Sequence, residues 1–270
     1  MTRDDELTRS ILQLQTLTER LRADCPWDRE QTVQSIVPHT IEEAYEVADA
    51  AMDGDDAKLR DELGDLLFQS FFLSLLLEER GSGGLADVAA DVHSKLVRRH
   101  PHVFGDAELD TAGAVRERWE SLKTTDEGRV GIFHDVPENL PALAYARKLQ
   151  RRAASVGFDY ADVAGALGDL EEELDEVREA EASSKRQADE PADPRVEAEL
   201  GDLLFAAVNV ARKSGVDAEL ALRSASRRFR RRVEEAERLA LAEGVDFGSL
   251  GLAEQDTYFD RAKEGEGHSA

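Results

Sequence analysis

The sequence predicts an all-α protein made of two tandem helical domains. Three observations predict it. Apolar residues recur at three- and four-residue steps through most of the chain. Glycine and proline gather between those stretches. And the second half repeats key segments of the first in the same order.

The elements follow in order. From Thr2 to Arg22 the apolar residues Leu7, Ile11, Leu14, Leu17 and Leu21 mark one helix face. Pro26 breaks that pattern, and Ser35 to Pro38 opens a new helix that continues from Ile41 to Met52 and ends at Gly54. Lys58 to Arg80 predicts a long helix whose apolar face holds Leu59, Leu63, Leu66, Leu67, Phe71 and Leu75. Gly81 to Gly84 is a turn, and Leu85 to Arg99 is helical up to Pro101. The stretch from Thr124 to Pro141 contains Gly128, Gly131, Pro137 and Pro141 and is expected to link domains spanning 1–123 and 142–263. In the second domain, helices are expected over Ala142 to Val156, Val163 to Ala182, Arg195 to Ser214 and Ala218 to Glu243. Ser183 to Pro194 is polar and reads as a solvated loop, and 264–270 reads as a disordered tail.

The repeat is specific. Glu62-Leu63-Gly64-Asp65-Leu66-Leu67-Phe68 recurs as Glu199-Leu200-Gly201-Asp202-Leu203-Leu204-Phe205. Upstream, Glu42-Glu43-x-x-Glu46 recurs as Glu172-Glu173-x-x-Glu176. The unequal spacing between the two motifs is taken up by the loop Ser183 to Pro194. Looser matches pair Pro26-Trp27-Asp28 with Gly157-Phe158-Asp159, Arg98-Arg99 with Arg231-Arg232, and Trp119-x-x-x-Lys123 with Phe259-x-x-x-Lys263. Five matches in one order argue for duplication.

Composition narrows the function classes. With 58 acids against 34 bases, the formal net charge of −24 should repel nucleic acid and anionic membranes. A polyanion can still bind where metal cations bridge. The opening MTRDDELTRS has no apolar core of a secretory signal, and the uncharged run Leu66 to Leu77 is too short to span a bilayer. The single cysteine, Cys25, excludes an intrachain disulfide and fits a reducing cytoplasm.

The repeated segments carry the chemistry. Residues three or four apart share a helix face, so Glu43 and Glu46 project together, as do Glu62 and Asp65. Two such helices packed side by side would bring four carboxylates together. Each close pair then costs roughly 1–4 kcal/mol at about 4 Å, depending on local dielectric, and divalent cations remove that cost. An all-oxygen donor set favours Mg²⁺ or Mn²⁺ over zinc. The ordinary alternative is an exposed acidic stripe paired with Lys and Arg. The apolar frame Leu66-Leu67-Phe68 beside Glu62 and Asp65, repeated beside Glu199 and Asp202, favours the convergent reading.

Other residues leave two readings open. Trp27, Trp119, Phe158 and Phe259 either stack a base or pack in a core. Arg98, Arg99, Arg231 and Arg232 either offset substrate charge or solvate a helix, and His100 and His102 either bind metal or finish a helix. Gly81-Ser82-Gly83-x-x-Ala86 follows a helix rather than a strand, so it is no dinucleotide fingerprint, and no Walker-type phosphate loop is present. A di-iron oxidoreductase bundle uses Glu-x-x-His, and none of the six histidines lies three residues after a Glu. A non-catalytic helical nucleotide-binding or regulatory protein is the remaining alternative.

Glu-Glu-x-x-Glu, a spacer, then Glu-x-x-Asp resembles the MazG family of nucleoside triphosphate pyrophosphohydrolases, in its two-domain bacterial form. Cys25 to Asp28, Gln31-Thr32, Glu42 to Val47, Glu62 to Phe68, Arg98 to Phe104 and Lys148 to Gln150 all resemble that form. The resemblance implies MazG-like helical domains that complete bundles by homodimerisation, a nucleoside triphosphate as ATP or a related substrate, and a Mg²⁺ requirement. It implies hydrolysis to nucleoside monophosphate and pyrophosphate. By the same resemblance Glu43, Glu46, Glu62 and Asp65, then Glu173, Glu176, Glu199 and Asp202, are metal ligands. Glu42 and Glu172 would support the site or position water, and catalysis would run chiefly through the second copy. Nucleotide contacts would come from Lys148, Glu172, Arg195, Arg228, Arg231, Arg232 and Phe259, where the family often has Trp in place of Phe259.

Overall fold

A computed structural model describes residues 2–105, 111, 131–134, 136–184 and 191–267. Trp119, Lys123, the first part of the expected linker, the middle of the polar loop and residues 268–270 lie outside the described residues. Among the described residues there are eleven α-helices, one short 3-10 helix and no strand. The chain divides into two compact units, Met1–Leu122 and Lys123–Ala270.

In the first unit α1 is Arg3–Asp24, α2 Pro26–Glu30, α3 Val33–Asp53, α4 Asp56–Glu78, α5 Leu85–Arg99 and α6 Pro101–Phe104. Local chemistry sets the ends. The Thr2 hydroxyl accepts the Asp5 N–H at 3.2 Å while the Asp5 carboxylate accepts the Thr2 N–H at 2.9 Å, which starts α1. The same reciprocal cap between Thr32 and Ser35 starts α3 at Val33, earlier than the Ser35-to-Pro38 start expected from proline alone. Pro38 lies inside this continuous helix, where it forgoes one backbone hydrogen bond. Gly54 ends α3 at φ 69°, a left-handed conformation suited to glycine, and Asp55 caps α4 by accepting the N–H groups of Ala57 and Lys58, both at 3.0 Å.

The two-residue connection folds α3 and α4 into a hairpin. Its core is Ile36, Phe72 and Leu76, with Val33, Phe68 and Leu73 packed around them. The expected apolar face of α4 is only partly covered: Phe71 is buried, but Leu63 is 49% exposed and Leu67 is 41% exposed. Among the described residues, part of the apolar surface of α4 is thus left uncovered. Arg22 ties α1, α2 and α4 together. Its guanidinium donates to the carbonyls of Asp28 and Gln31 and, through two 2.8 Å bonds, to Glu79.

In the second unit α7 is Ala142–Ala154, α8 Val163–Ser183, α9 Pro194–Lys213, α10 Ala218–Ala242 and α11 Leu252–Gly267, with the 3-10 turn Phe247–Ser249 before α11. Residues 264–267 are thus helical rather than part of a disordered tail. Asp162, Asp193 and Asp217 cap α8, α9 and α10 through their carboxylates. Helices α8 and α9 form the second hairpin, and α7 packs against α9 and α10. The buried set is rich in alanine (Ala166, Ala180, Ala206, Ala236, Ala240 and Ala262), which lets the helices approach closely. No described helix is long and apolar enough to cross a membrane.

Candidate metal and nucleotide site

Each hairpin places one acidic motif on its first helix and the other on its second. In the first unit α3 carries Glu43 and Glu46 and α4 carries Glu62 and Asp65. Ligand atoms of Glu43, Glu62 and Asp65 lie within 4.8 Å of one another. The fourth carboxyl, Glu46, shares a hydrogen bond with Glu62. In the second unit α8 carries Glu173 and Glu176 and α9 carries Glu199 and Asp202. Glu173, Glu199 and Asp202 gather within the same 4.8 Å, and Glu176 shares a hydrogen bond with Glu199. All eight acids singled out by the repeat therefore lie in two four-carboxylate clusters.

The clusters are electrostatically loaded. Burial, then the neighbouring Asp65, Glu46 and Glu62, hold the Glu43 carboxyl above its ordinary range. Burial, then Glu46, does the same for Glu62. In the second cluster Glu173 is raised by burial and then by Asp202, Glu176 and Asp169. Glu176 is raised chiefly by the hydrogen bond to Glu199. Burial and close like charges disfavour the ionised form in each cluster, and a divalent cation would relieve that repulsion.

The surrounding residues fall into two groups. Arg195, one turn before Glu199 on α9, reaches the cluster with Nε 3.7 Å from the Glu199 carboxylate. Lys58 holds the matching place before Glu62 and acts against its raised carboxyl. Sequence reasoning missed Lys58; the signal that could have found it is the register of the repeat, which sets Lys58 four residues before Glu62 as Arg195 stands four before Glu199. Glu42 and Glu172 are exposed at the cluster margins, and His39 Nδ1 is 3.8 Å from Glu42. The other expected nucleotide contacts are spread over α7, α10 and α11. Arg228 donates to Ser224 Oγ at 2.7 Å, and Phe259 packs its ring against Phe229 with centroids 5.8 Å apart. Arg231 is exposed and Arg232 half-buried on α10, and Lys148 is half-buried on α7. His100 finishes α5, its Nδ1 2.7 Å from the Leu96 carbonyl, and Cys25 is half-buried. Trp27 lies edge-on to His39 with ring centroids 5.8 Å apart.

Sequence reasoning missed Tyr160 and Asp169. The Tyr160 hydroxyl donates to Asp169 Oδ1 at 2.6 Å, one helical turn before Glu173. Only the spacing of Asp169 from Glu173 hinted at this, because the tyrosine comes from the turn before α8.

Comparisons with known proteins agree with the geometry. The family model described as "MazG nucleotide pyrophosphohydrolase domain" matches residues 31–104, which include the whole first hairpin. The chain is 41% identical over 263 residues to the nucleoside triphosphate pyrophosphohydrolase of Escherichia coli (strain K12), covering 95% of this chain and 98% of that protein. It is 38% identical over 262 residues to the nucleoside triphosphate pyrophosphohydrolase/pyrophosphatase MazG of Thermotoga maritima, covering 94% and 96% of the two chains. With that identity spanning nearly the full length of both relatives, and with the acidic motifs of each copy folded into one cluster, the chain belongs to the MazG family of nucleotide pyrophosphohydrolases.

Proposed function

We propose that this chain hydrolyses nucleoside triphosphates to the monophosphate and pyrophosphate, with Mg²⁺ or Mn²⁺ held in its carboxylate clusters. The observation that carries the reading is the convergence, in both units, of three carboxylates within 4.8 Å with a fourth hydrogen-bonded to them. The donor set fits the cation, because it is all oxygen and gathers mutually repelling carboxylates within 4.8 Å. Glu43, Glu46, Glu62 and Asp65 would hold it in the first unit, and Glu173, Glu176, Glu199 and Asp202 in the second. Family membership supports the substrate class.

A bound divalent cation supplies charge neutralisation for the triphosphate and acidifies a bound water. Glu172, and Glu42 in the first copy, accept the proton of the attacking water. Attack falls on the α-phosphorus, and Arg195 or Lys58 offsets charge on the departing pyrophosphate. Lys148, Arg228, Arg231, Arg232 and Phe259 complete the nucleotide contacts, and the second site carries most of the turnover. No covalent intermediate is required.

The functional form in this proposal is a homodimer. Leucines left exposed on the metal-bearing helices support it: Leu63 and Leu67 on α4, Leu167 and Leu174 on α8, Leu200 and Leu204 on α9. The activity is tested by chromatography of a reaction with one nucleoside triphosphate, with and without Mg²⁺. The expected result is monophosphate and pyrophosphate in equal amounts and only with metal. Nucleoside diphosphate and orthophosphate as main products would overturn the reading.

A further inference from the structure

The two clusters differ in what borders them. Four residues before Glu43 stands His39, and four residues before Glu173 stands Asp169. On a helix that spacing puts each on the face of the cluster. Each receives a side chain from the segment ahead of its helix: Trp27 of α2 lies edge-on to His39, and Tyr160, in the turn before α8, donates its hydroxyl to Asp169 at 2.6 Å.

The turn carrying Tyr160 is fixed at three points. Arg212 and Lys213, at the end of α9, both bond the Asp159 carboxylate, with Lys213 Nζ at 2.8 Å, and Lys213 also bonds the Tyr160 carbonyl. The Tyr160 ring lies over Gly165, where an added Cβ would come within 3.2 Å of the ring carbon Cδ1. The hydroxyl then makes the third tie, to Asp169. The phenol is pushed up to about 12, first by the Asp169 hydrogen bond and then by burial and by the charges of Asp169, Glu172 and Glu173.

We propose that Tyr160 is a positioning residue that fixes Asp169 as a fifth carboxylate bordering the second cluster, making this cluster a tighter divalent-cation site than the first, where His39 takes that place. The proposal rests on the metal-binding reading above. Asp169 is not among the three converged ligands, so it acts through its field, and that field depends on where its carboxylate is held. An imidazole brings no negative charge in either protonation state, so the first cluster lacks this contribution.

The test titrates the full chain with Mn²⁺ alone, without nucleotide, by calorimetry and by the electron paramagnetic resonance of free Mn²⁺. A chain carrying Glu62→Gln and Asp65→Asn isolates the second cluster, and one carrying Glu199→Gln and Asp202→Asn isolates the first. The second cluster should bind Mn²⁺ more tightly, and Asp169→Asn should weaken it by about three- to tenfold, as expected for one screened charge near a divalent cation. Asn still accepts the Tyr160 hydroxyl, so the fold is kept. Tyr160→Phe keeps the ring over Gly165 and should weaken binding by a smaller factor. His39→Asp should tighten the first cluster. Mn²⁺ affinity unmoved by Asp169→Asn, with a lowered melting temperature in Tyr160→Phe, would reduce the pair to a structural tie and overturn the inference. Equal affinities of the two clusters would overturn it as well, while leaving the hydrolase reading intact. Mn²⁺ binding to neither cluster would remove both.

Discussion

At the scale of single residues, the acids of the clusters divide by what they share. Glu62 and Glu199 each lie against a glutamate of the facing helix. A glutamine at either place keeps the shape of the side chain, yet it cannot serve as an anionic ligand. We therefore expect Glu199→Gln or Asp202→Asn to lower kcat by at least about a hundredfold, since even residues behind metal ligands cost 10–100-fold. The helical circular-dichroism signal should persist, and near-normal turnover would remove these residues from the site. Glu62→Gln and Asp65→Asn should cost less, in keeping with a dominant second copy. The pairing of acids three and four apart was legible in the sequence, because helix periodicity alone puts them on one face. Which acid bonds which, and the approach of Tyr160 to Asp169, were not. Those contacts depend on the hairpin register and on a turn fixed by Arg212 and Lys213.

At the scale of elements, helix identity was legible and helix ends less so. The start of α3 was displaced because Thr32 and Ser35 cap each other, a signal weaker to the eye than Pro38. The helix α11 was hidden by its mixed polarity, and it is fastened instead by side chains: Arg261 and Tyr258 bond Glu243 at 2.7 and 2.8 Å. The apolar face of α9 was read correctly as apolar, yet Leu204 is 59% exposed. An exposed leucine can be replaced by a charge at little cost to its own unit. Sedimentation equilibrium of the intact chain should give twice the chain mass, and Leu204→Glu should shift it toward the single-chain mass without loss of helical signal. A monomer at every concentration would count against the dimer.

At the scale of the whole molecule, stability should depend on metal and pH together. Glu43, Glu62, Glu173 and Glu176 all have carboxyls raised in the folded state. The unfolded value is about 4.3, so their stabilising contribution is full below that pH and is lost as pH rises through the raised folded values. Glu79, Asp159 and Glu243, which bond basic side chains, are lowered instead. Their contribution is present above the unfolded values and is lost only as pH falls through the folded ones. From mildly acidic to neutral pH the raised set governs, and the metal-free protein should melt at lower temperature as pH rises through the raised folded values. Saturating Mg²⁺ should cancel that slope and raise the melting temperature, by an amount equivalent to about 2.7 kcal/mol at a hundredfold excess over its dissociation constant. A melting temperature indifferent to Mg²⁺ at both ends of this range would mean that the acids are a solvated stripe.

The sequence by itself determined the helical class, the duplication and the eight acids, because helix periodicity and motif repetition are local properties of the chain. Only the tertiary structure decided that these acids converge, that the α4 leucines are left partly uncovered, and that Tyr160 bonds Asp169 one turn before Glu173. Those outcomes depend on how two helices are set against each other. That setting comes from packing such as Ile36 against Phe72 and Leu76, and from ties such as Asp159 to Arg212 and Lys213, between residues far apart in the chain.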